Sequence, residues 1–246
     1  ACDSVLISTN PITNGTYLWS TSNVSTSVMP AIGDFYQGGV VFWIDPNDNT
    51  QGLVCDIDNL SANATWGCSG INIPGSDGIE VGTGEQNTLD HLSACSETGT
   101  AVEFCINSSN GGYSDWFLPS MDELEQIHLQ ESNINSTITN QGGNTINSYN
   151  SYFWSSTEYN SYYIGYNGFT LNCGSGCSSE QNAYMFYSNM SGYYNYDIGT
   201  KTATYYVRAV RSFSAPISTD TTNNITVSAS GWNYVTVTDS LGCTAT

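Results

Sequence analysis

The side chains with chemical potential in this 246-residue sequence are eight cysteines, two histidines, a pair of arginines and a large excess of carboxylates. The cysteines are Cys2, Cys55, Cys68, Cys95, Cys105, Cys173, Cys177 and Cys243. A zinc site is poorly served, because no Cys-x-x-Cys pair occurs and only His91 and His128 supply imidazole nitrogen. An even cysteine count in a chain with only 3 lysines and arginines reads instead as an oxidised, exported protein. Proximity along the chain favours Cys55–Cys68, Cys95–Cys105 and Cys173–Cys177, which leaves Cys2 for Cys243. Ala1 stands where an initiator Met would, so the expectation is a cleaved leader and an extracellular or bacterial cell-surface location.

Catalytic constellations are hard to assemble from the rest. His91 and His128 fall on expected helices, and the nucleophile either would need is absent if the cysteines are oxidised. Arg208 and Arg211 lie on an expected strand, with Glu158 and Asp115 as candidate structural partners. Acids abound without a spacing that singles out a glycosidase pair, and the glycines at 174–176 lack a phosphate-binding lysine. Asp45, Asn47, Asp48 and Asn49 offer oxygens to calcium, but without the spacing and distal Glu of a calcium loop they read as a hairpin turn. The expectation is a non-enzyme without a cofactor, calcium being the one cation considered. Many of the 17 tyrosines lie between Tyr149 and Tyr206, where they serve a core or, if exposed, stack on sugars.

Composition narrows the partners. Acidic residues outnumber basic ones 22 to 3, for a net charge of −19, which repels nucleic acid and anionic membranes. Hydrophobic residues at 39% suffice for a core, whereas charged residues reach only 10%, so polarity comes from Ser, Thr, Asn and Gly and favours strands joined by turns. No stretch reads as a membrane span.

These side chains must be positioned by recognisable elements. Gly38 to Ile44 and Leu53 to Cys55 read as a hairpin around Asp45-Pro46-Asn47-Asp48-Asn49. A first helix is expected from Thr83, capped with Gln86, with Leu89, Leu92 and Cys95 on one face. A second starts at Ser120 with Glu123 as its reciprocal cap and Met121, Leu124, Ile127 and His128 as its buried stripe. Tyr152–Trp154, Ala183–Tyr187 and Tyr205–Val210 read as strands. Pro30 and Pro216 mark boundaries, and residues 1–30 and 217–246 both read as short strands and turns.

Three ordered stretches, Gly112 to Leu124 (Gly-Tyr-Ser-Asp-Trp-Phe-Leu-Pro-Ser-Met-Asp-Glu-Leu), Phe153 to Tyr159 (Phe-Trp-Ser-Ser-Thr-Glu-Tyr) and Tyr206 to Phe213, resemble the Lcl C-terminal domain family of bacterial surface proteins. Trp66-Gly67-Cys68 and Gly82 to Thr88 resemble it as well. The resemblance covers roughly residues 34–213. It implies an α+β fold related to C-type lectin-like domains and an adhesive role with glycans as a ligand class. The Glu-Pro-Asn and Trp-Asn-Asp triplets of calcium-dependent lectins are missing.

The segment from Gly231 to Thr246 is similar to the last strands of immunoglobulin-like repeats in surface adhesins of gliding bacteria, and Tyr17-Leu18-Trp19-Ser20-Thr21 is similar to an earlier segment of the same repeat. The expected fold is therefore α+β, a C-type lectin-like domain over 34–213 and an immunoglobulin-like sandwich split between 1–30 and 217–246. Neither half is stable alone. They pair within one molecule, giving a monomeric glycan-binding adhesin module, or between copies, giving a head-to-tail fibre by strand complementation. The fibre is the first expectation, with Tyr17, Trp19, Ile225, Val227, Tyr234, Val235 and Val237 as assembly residues and other copies of the chain as partners. Asp-Ser/Thr-apolar triplets make Ser4, Thr221 and Ser240 candidate glycosylation sites, by likeness to those of some gliding bacteria.

Overall fold

The structure is a computed structural model that describes residues 24–147, 151–160, 176–188, 194–215, 218–220, 233–238 and 244–245. The fold is mixed α+β and mostly β. In chain order come β1 (Val24–Val28), β2 (Phe35–Tyr36), β3 (Gly39–Ile44), β4 (Gln51–Cys55), β5 (Ser61–Thr65), α1 (Gly84–Ala94), α2 (Ala101–Ile106), α3 (Met121–Leu129) and α4 (Glu131–Asn140). Then follow β6 (Phe153–Glu158), β7 (Asn182–Ser188), β8 (Tyr194–Thr200), β9 (Thr204–Val207), β10 (Val210–Ser214), β11 (Ser218–Asp220), β12 (Asn233–Thr238) and β13 (Thr244–Ala245). The chain divides into two compact units, one comprising residues 1–31, 44–51 and 214–246, the other residues 32–43 and 52–213.

In the first unit the two ends of the chain share a sheet of order β11-β1-β12-β13. β1 runs antiparallel to both neighbours, with Val24 opposite Asp220 on one side and Val237 on the other. Tyr234 and Val235 of β12 stand opposite Ser27 and Thr26.

The second unit holds two sheets. One has the order β10-β4-β3-β2, the other β5-β9-β6-β7-β8. β3 is an unbroken apolar run because both its faces are covered, and Val40, Val41 and Phe42 are at most 1% exposed. The second sheet is antiparallel except where β6 meets β9, Phe153 standing opposite Tyr206. Helix α3 begins as its sequence dictates, Ser120 and Glu123 forming a complete capping box. Met121, Leu124 and Ile127 are buried in a core with Phe42, Phe153, Phe186 and Val210, while His128 lies half-buried against Phe186.

Three expectations are corrected. Helix α1 buries a polar face: Asn87, Thr88 and His91 are inside, whereas Leu89 is 53% and Leu92 38% exposed. Its Thr83 hydroxyl makes no cap and donates to the Glu80 carbonyl instead. The expected strand from Tyr205 to Val210 is two strands in two sheets, because the chain leaves β9 at Arg208-Ala209 and pairs at Val210 with Phe117. Of the four α-helices among the described residues the sequence shows two, and it misses β2, β5 and β8.

The third correction concerns cysteines. Cys68 bonds to Cys95, with Cα atoms 5.7 Å apart, and Cys55 and Cys105 are buried free thiols. The neighbour pairings Cys55–Cys68 and Cys95–Cys105 fail because β5 carries the chain away from Cys55 and delivers Cys68 to the end of α1, where Cys95 is the C-cap. Gly67 makes that approach possible: its φ of +99° is closed to most side chains, and a Cβ there would collide with the Thr100 methyl. Cys177 is disulfide-bonded; Cys2, Cys173 and Cys243 lie outside the described residues, so the remaining expected pairings do too.

Non-reducing peptide mapping is expected to link the Cys68 and Cys95 peptides and to find Cys55 and Cys105 alkylated only after denaturation. With a separation of 27 residues, replacing both bonded cysteines by serine should cost about 3–4 kcal/mol in chemical denaturation.

Candidate functional site

The centre of the second unit is β6, whose six residues are all buried although four are polar. Each polar group is satisfied. The Ser155 hydroxyl donates to the Tyr184 carbonyl at 2.7 Å, and Ser156 accepts from Asn87 Nδ2 at 3.1 Å. Thr157 donates to the Gly78 carbonyl at 2.8 Å and accepts from the Met121 N–H. The backbone N–H of Ser156 reaches Pro119 O, and that of Glu158 reaches Ser76 O. This strand therefore fastens both the loop around residues 73–78 and the start of α3, which explains physically why the Phe-Trp-Ser-Ser-Thr-Glu and Trp-Phe-Leu-Pro-Ser stretches belong together.

Glu158 ends the strand in a buried ion pair. Its Oε1 lies 2.5 Å from Lys201 Nζ, and the Ile73 N–H donates to both carboxylate oxygens at 2.9 and 3.0 Å. Lys201 also donates to the Ile71 carbonyl at 2.7 Å and sits 4.6 Å from the Trp66 ring centroid. Burial pushes the Glu158 carboxyl up and the Lys201 amine down, and the hydrogen bond between them opposes both movements. On Trp66, His91 packs edge-on at 4.6 Å. Its Nε2 lies 3.0 Å from the Trp66 carbonyl, so Nε2 carries the proton, and Nδ1 is a buried atom with no hydrogen-bond partner. Burial lowers the His91 pKa to about 4.

Beside Glu158 opens a cleft of about 370 Å³. Three segments wall it: Asn72 to Asp77, Glu158 to Asn160, and Cys177 to Ser179. Tyr159 packs on Tyr184 with ring centroids 5.6 Å apart, and the Tyr184 hydroxyl donates to the Asn160 carbonyl at 2.7 Å. No arginine or lysine is among the lining residues. The cleft was not legible in the sequence, since its walls come from segments about 80 and 100 residues apart along the chain. The signals present were a lone lysine and the glutamate that ends the Phe-Trp-Ser-Ser-Thr-Glu stretch.

The other expected residues fall as follows. Arg211 makes the expected pair with Asp115, its Nε and Nη2 each 2.7 Å from a carboxylate oxygen, and lies 3.9 Å from the Tyr113 ring centroid. The hydrogen bonds from Arg211 hold the Asp115 carboxyl below its usual range. Arg208 does not reach Glu158, which Lys201 occupies; it donates to the Asp56 and Asn144 carbonyls at 2.8 and 2.6 Å, fully buried. His128 pairs with Glu131 at 3.1 Å. Asp45 and Asp48 spend carboxylate oxygens on the N–H groups of Asn47 and Thr50, as a hairpin turn requires. The tyrosines divide between core and surface: Tyr184 is 1% exposed, Tyr152 41%. Tyr234, Val235 and Val237 lie on β12 paired to β1. Tyr17, Trp19, Ile225, Val227, Ser4, Thr221 and Ser240 lie outside the described residues.

No protein-family model and no curated protein matches the chain. Among the described residues, no helix is long and apolar enough to cross a membrane. The one group of metal-type ligands found there, Cys68, Cys95 and Glu97, has both sulfurs in a disulfide.

Two measurements probe this centre. Glu158→Gln and Lys201→Met are each expected to cost roughly 3–5 kcal/mol, because each leaves a buried group unpaired, while the double variant recovers much of the loss; a denaturation double-mutant cycle reads the coupling. His91 has a folded pKa of about 4, below the ordinary value of 6.5, so the unfolded chain takes up the proton first. Its stabilising contribution is complete above the unfolded value and is lost as pH falls toward 4, roughly 3 kcal/mol in all. Glu123, pushed up to about 7 by burial, acts in the opposite sense. The difference in stability between wild type and His91→Gln should therefore shrink as pH falls through that window.

Proposed function

We propose that this chain is a structural and adhesive subunit of an extracellular bacterial fibre, assembled head to tail by strand complementation, with the residue 34–213 region as its outward, lectin-like adhesive part. The observation that carries the reading is the place of β1: it lies between β11 and β12, two strands from the opposite end of the chain, and meets β12 over five residue pairs. A strand ladder does not distinguish its own chain from a copy. The β1 of a neighbour fits the same slot in the same register, and such a contact propagates without closing. The Cys68–Cys95 bridge supports an oxidising compartment. The reading assigns no catalysis: Glu158 is engaged by Lys201 and Ile73, and burial raises the Cys55 thiol to about 12.

A second reading is favoured by the pairing of β1 with β11 and β12 of its own chain. Closed in this way, the two ends form an immunoglobulin-like mount within one molecule, and the protein is a monomeric glycan-binding module of a larger adhesin.

Cysteines placed at Val24 and Val237, which face each other across the ladder, separate the readings. When a Val24→Cys chain is mixed with a Val237→Cys chain, the fibre reading expects crosslinks between different chains together with filaments in electron microscopy. Monodisperse particles, and crosslinking only within a chain carrying both substitutions, would leave the monomeric module.

A further inference from the structure

We propose that the cleft at the Glu158 end of β6 is a binding site for a single neutral sugar residue; this rests on the adhesive reading above and gives it a location. The size is right for a small ligand: about 370 Å³ lies near the lower end of the roughly 300–1,000 Å³ range of ligand pockets. The lining is suited to hydroxyl groups. Asp77 supplies a carboxylate acceptor, Asn72 and Asn160 amides that both donate and accept, and Ser178 a hydroxyl, while Glu158 lines the floor with its carboxylate held by Lys201 and Ile73. Tyr159 adds an aromatic wall of the kind on which the apolar face of a sugar ring packs.

The charge pattern selects among sugars. Two carboxylates line the cleft and no cation does. The nearest ammonium, Lys201, is fully buried and spends its protons on Glu158 and the Ile71 carbonyl. Sialic or uronic acids would bring a negative charge against the Asp77 carboxylate in a chain of net −19.

The walls are fixed before any ligand arrives. Ile73 is pinned by its N–H to Glu158, Glu158 by Lys201, Asn160 by the Tyr184 hydroxyl, and Ser178 by its N–H to the Asn182 side chain. A site held in place in this way loses little freedom on binding.

Saturation-transfer NMR and calorimetric titration of the full chain with glucose, galactose, mannose, N-acetylglucosamine, glucuronate and galacturonate test the site. At least one neutral sugar should bind, with the matching uronate at least tenfold weaker. Asp77→Ala and Asn160→Ala should each weaken the neutral sugar at least tenfold without lowering the melting temperature, and Asp77→Ala should narrow the gap to the uronate. Neutral-sugar binding that survives both substitutions would overturn the cleft and leave glycan adhesion standing elsewhere. Uronates that bind as well as neutral sugars would overturn the selectivity. No binding of any sugar would remove the cleft and the glycan role together, while the fibre question stays with crosslinking and microscopy.

Discussion

The second unit depends on keeping one lysine and one glutamate charged in its interior. Lys201 and Glu158 are almost wholly shielded from water, and two buried ions are tolerable only when nearly every remaining proton and lone pair is used. The structure meets that requirement by recruiting backbone from a distance: the Ile71 carbonyl, the Ile73 N–H and the face of Trp66 all converge on the pair. Trp66 is in turn fixed by its indole N–H to the Ser155 carbonyl at 2.9 Å and by His91 at its edge. A segment without regular structure, residues 66–78, thereby acquires a defined course. The cleft exists because that course is defined.

A related economy governs the rest of β6. Ser155, Ser156 and Thr157 are buried on a strand that an apolar run would fill as well, and their hydroxyls tie it to β7, to α1, and to the Gly78 loop and the start of α3, where apolar side chains would only pack. Buried polar groups that are all satisfied specify a single arrangement more sharply than apolar contact does. Gly84 belongs to the same scheme: a Cβ there would lie 2.3 Å from a Glu123 carboxylate oxygen and 2.8 Å from the Ser120 nitrogen, so the glycine is what lets α1 start against the cap of α3.

What was legible in the sequence was local. The β3–β4 hairpin has its turn residues between apolar runs, and α3 announces itself through Ser120, Glu123 and an apolar stripe at helical spacing. Helix α1 was located but its face misjudged, because Leu89 and Leu92 outrank Asn87 and His91 on any hydrophobic scale, whereas the real neighbours of the helix are hydroxyls and carbonyls. Helix α4 (Glu-Ser-Asn-Ile-Asn-Ser-Thr-Ile-Thr-Asn) is weak in intrinsic propensity and is held by the burial of Ile134 and Ile138 and by the hydrogen bonds of Asn135 with Ile146 and of Thr137 with Gly33. Scarcity of cations marks Asp115 and Glu158 as acids with a basic partner, but not which partner: both arginines and the lone lysine compete for them, and only the fold gives Asp115 to Arg211 and Glu158 to Lys201.

Cys55 and Cys105 give the molecule a problem of timing. Both are thiols enclosed in the core, and burial raises both pKa values, so once folded they are nearly inert. Before folding they are ordinary thiols in the same chain as Cys68 and Cys95. In an oxidising compartment, β4 and α2 must therefore close around their sulfurs faster than oxidant can reach them, or the wrong bridge forms first. Under oxidising conditions folding would thus be a race between collapse and oxidation, with slow folding yielding shuffled bridges rather than merely less product.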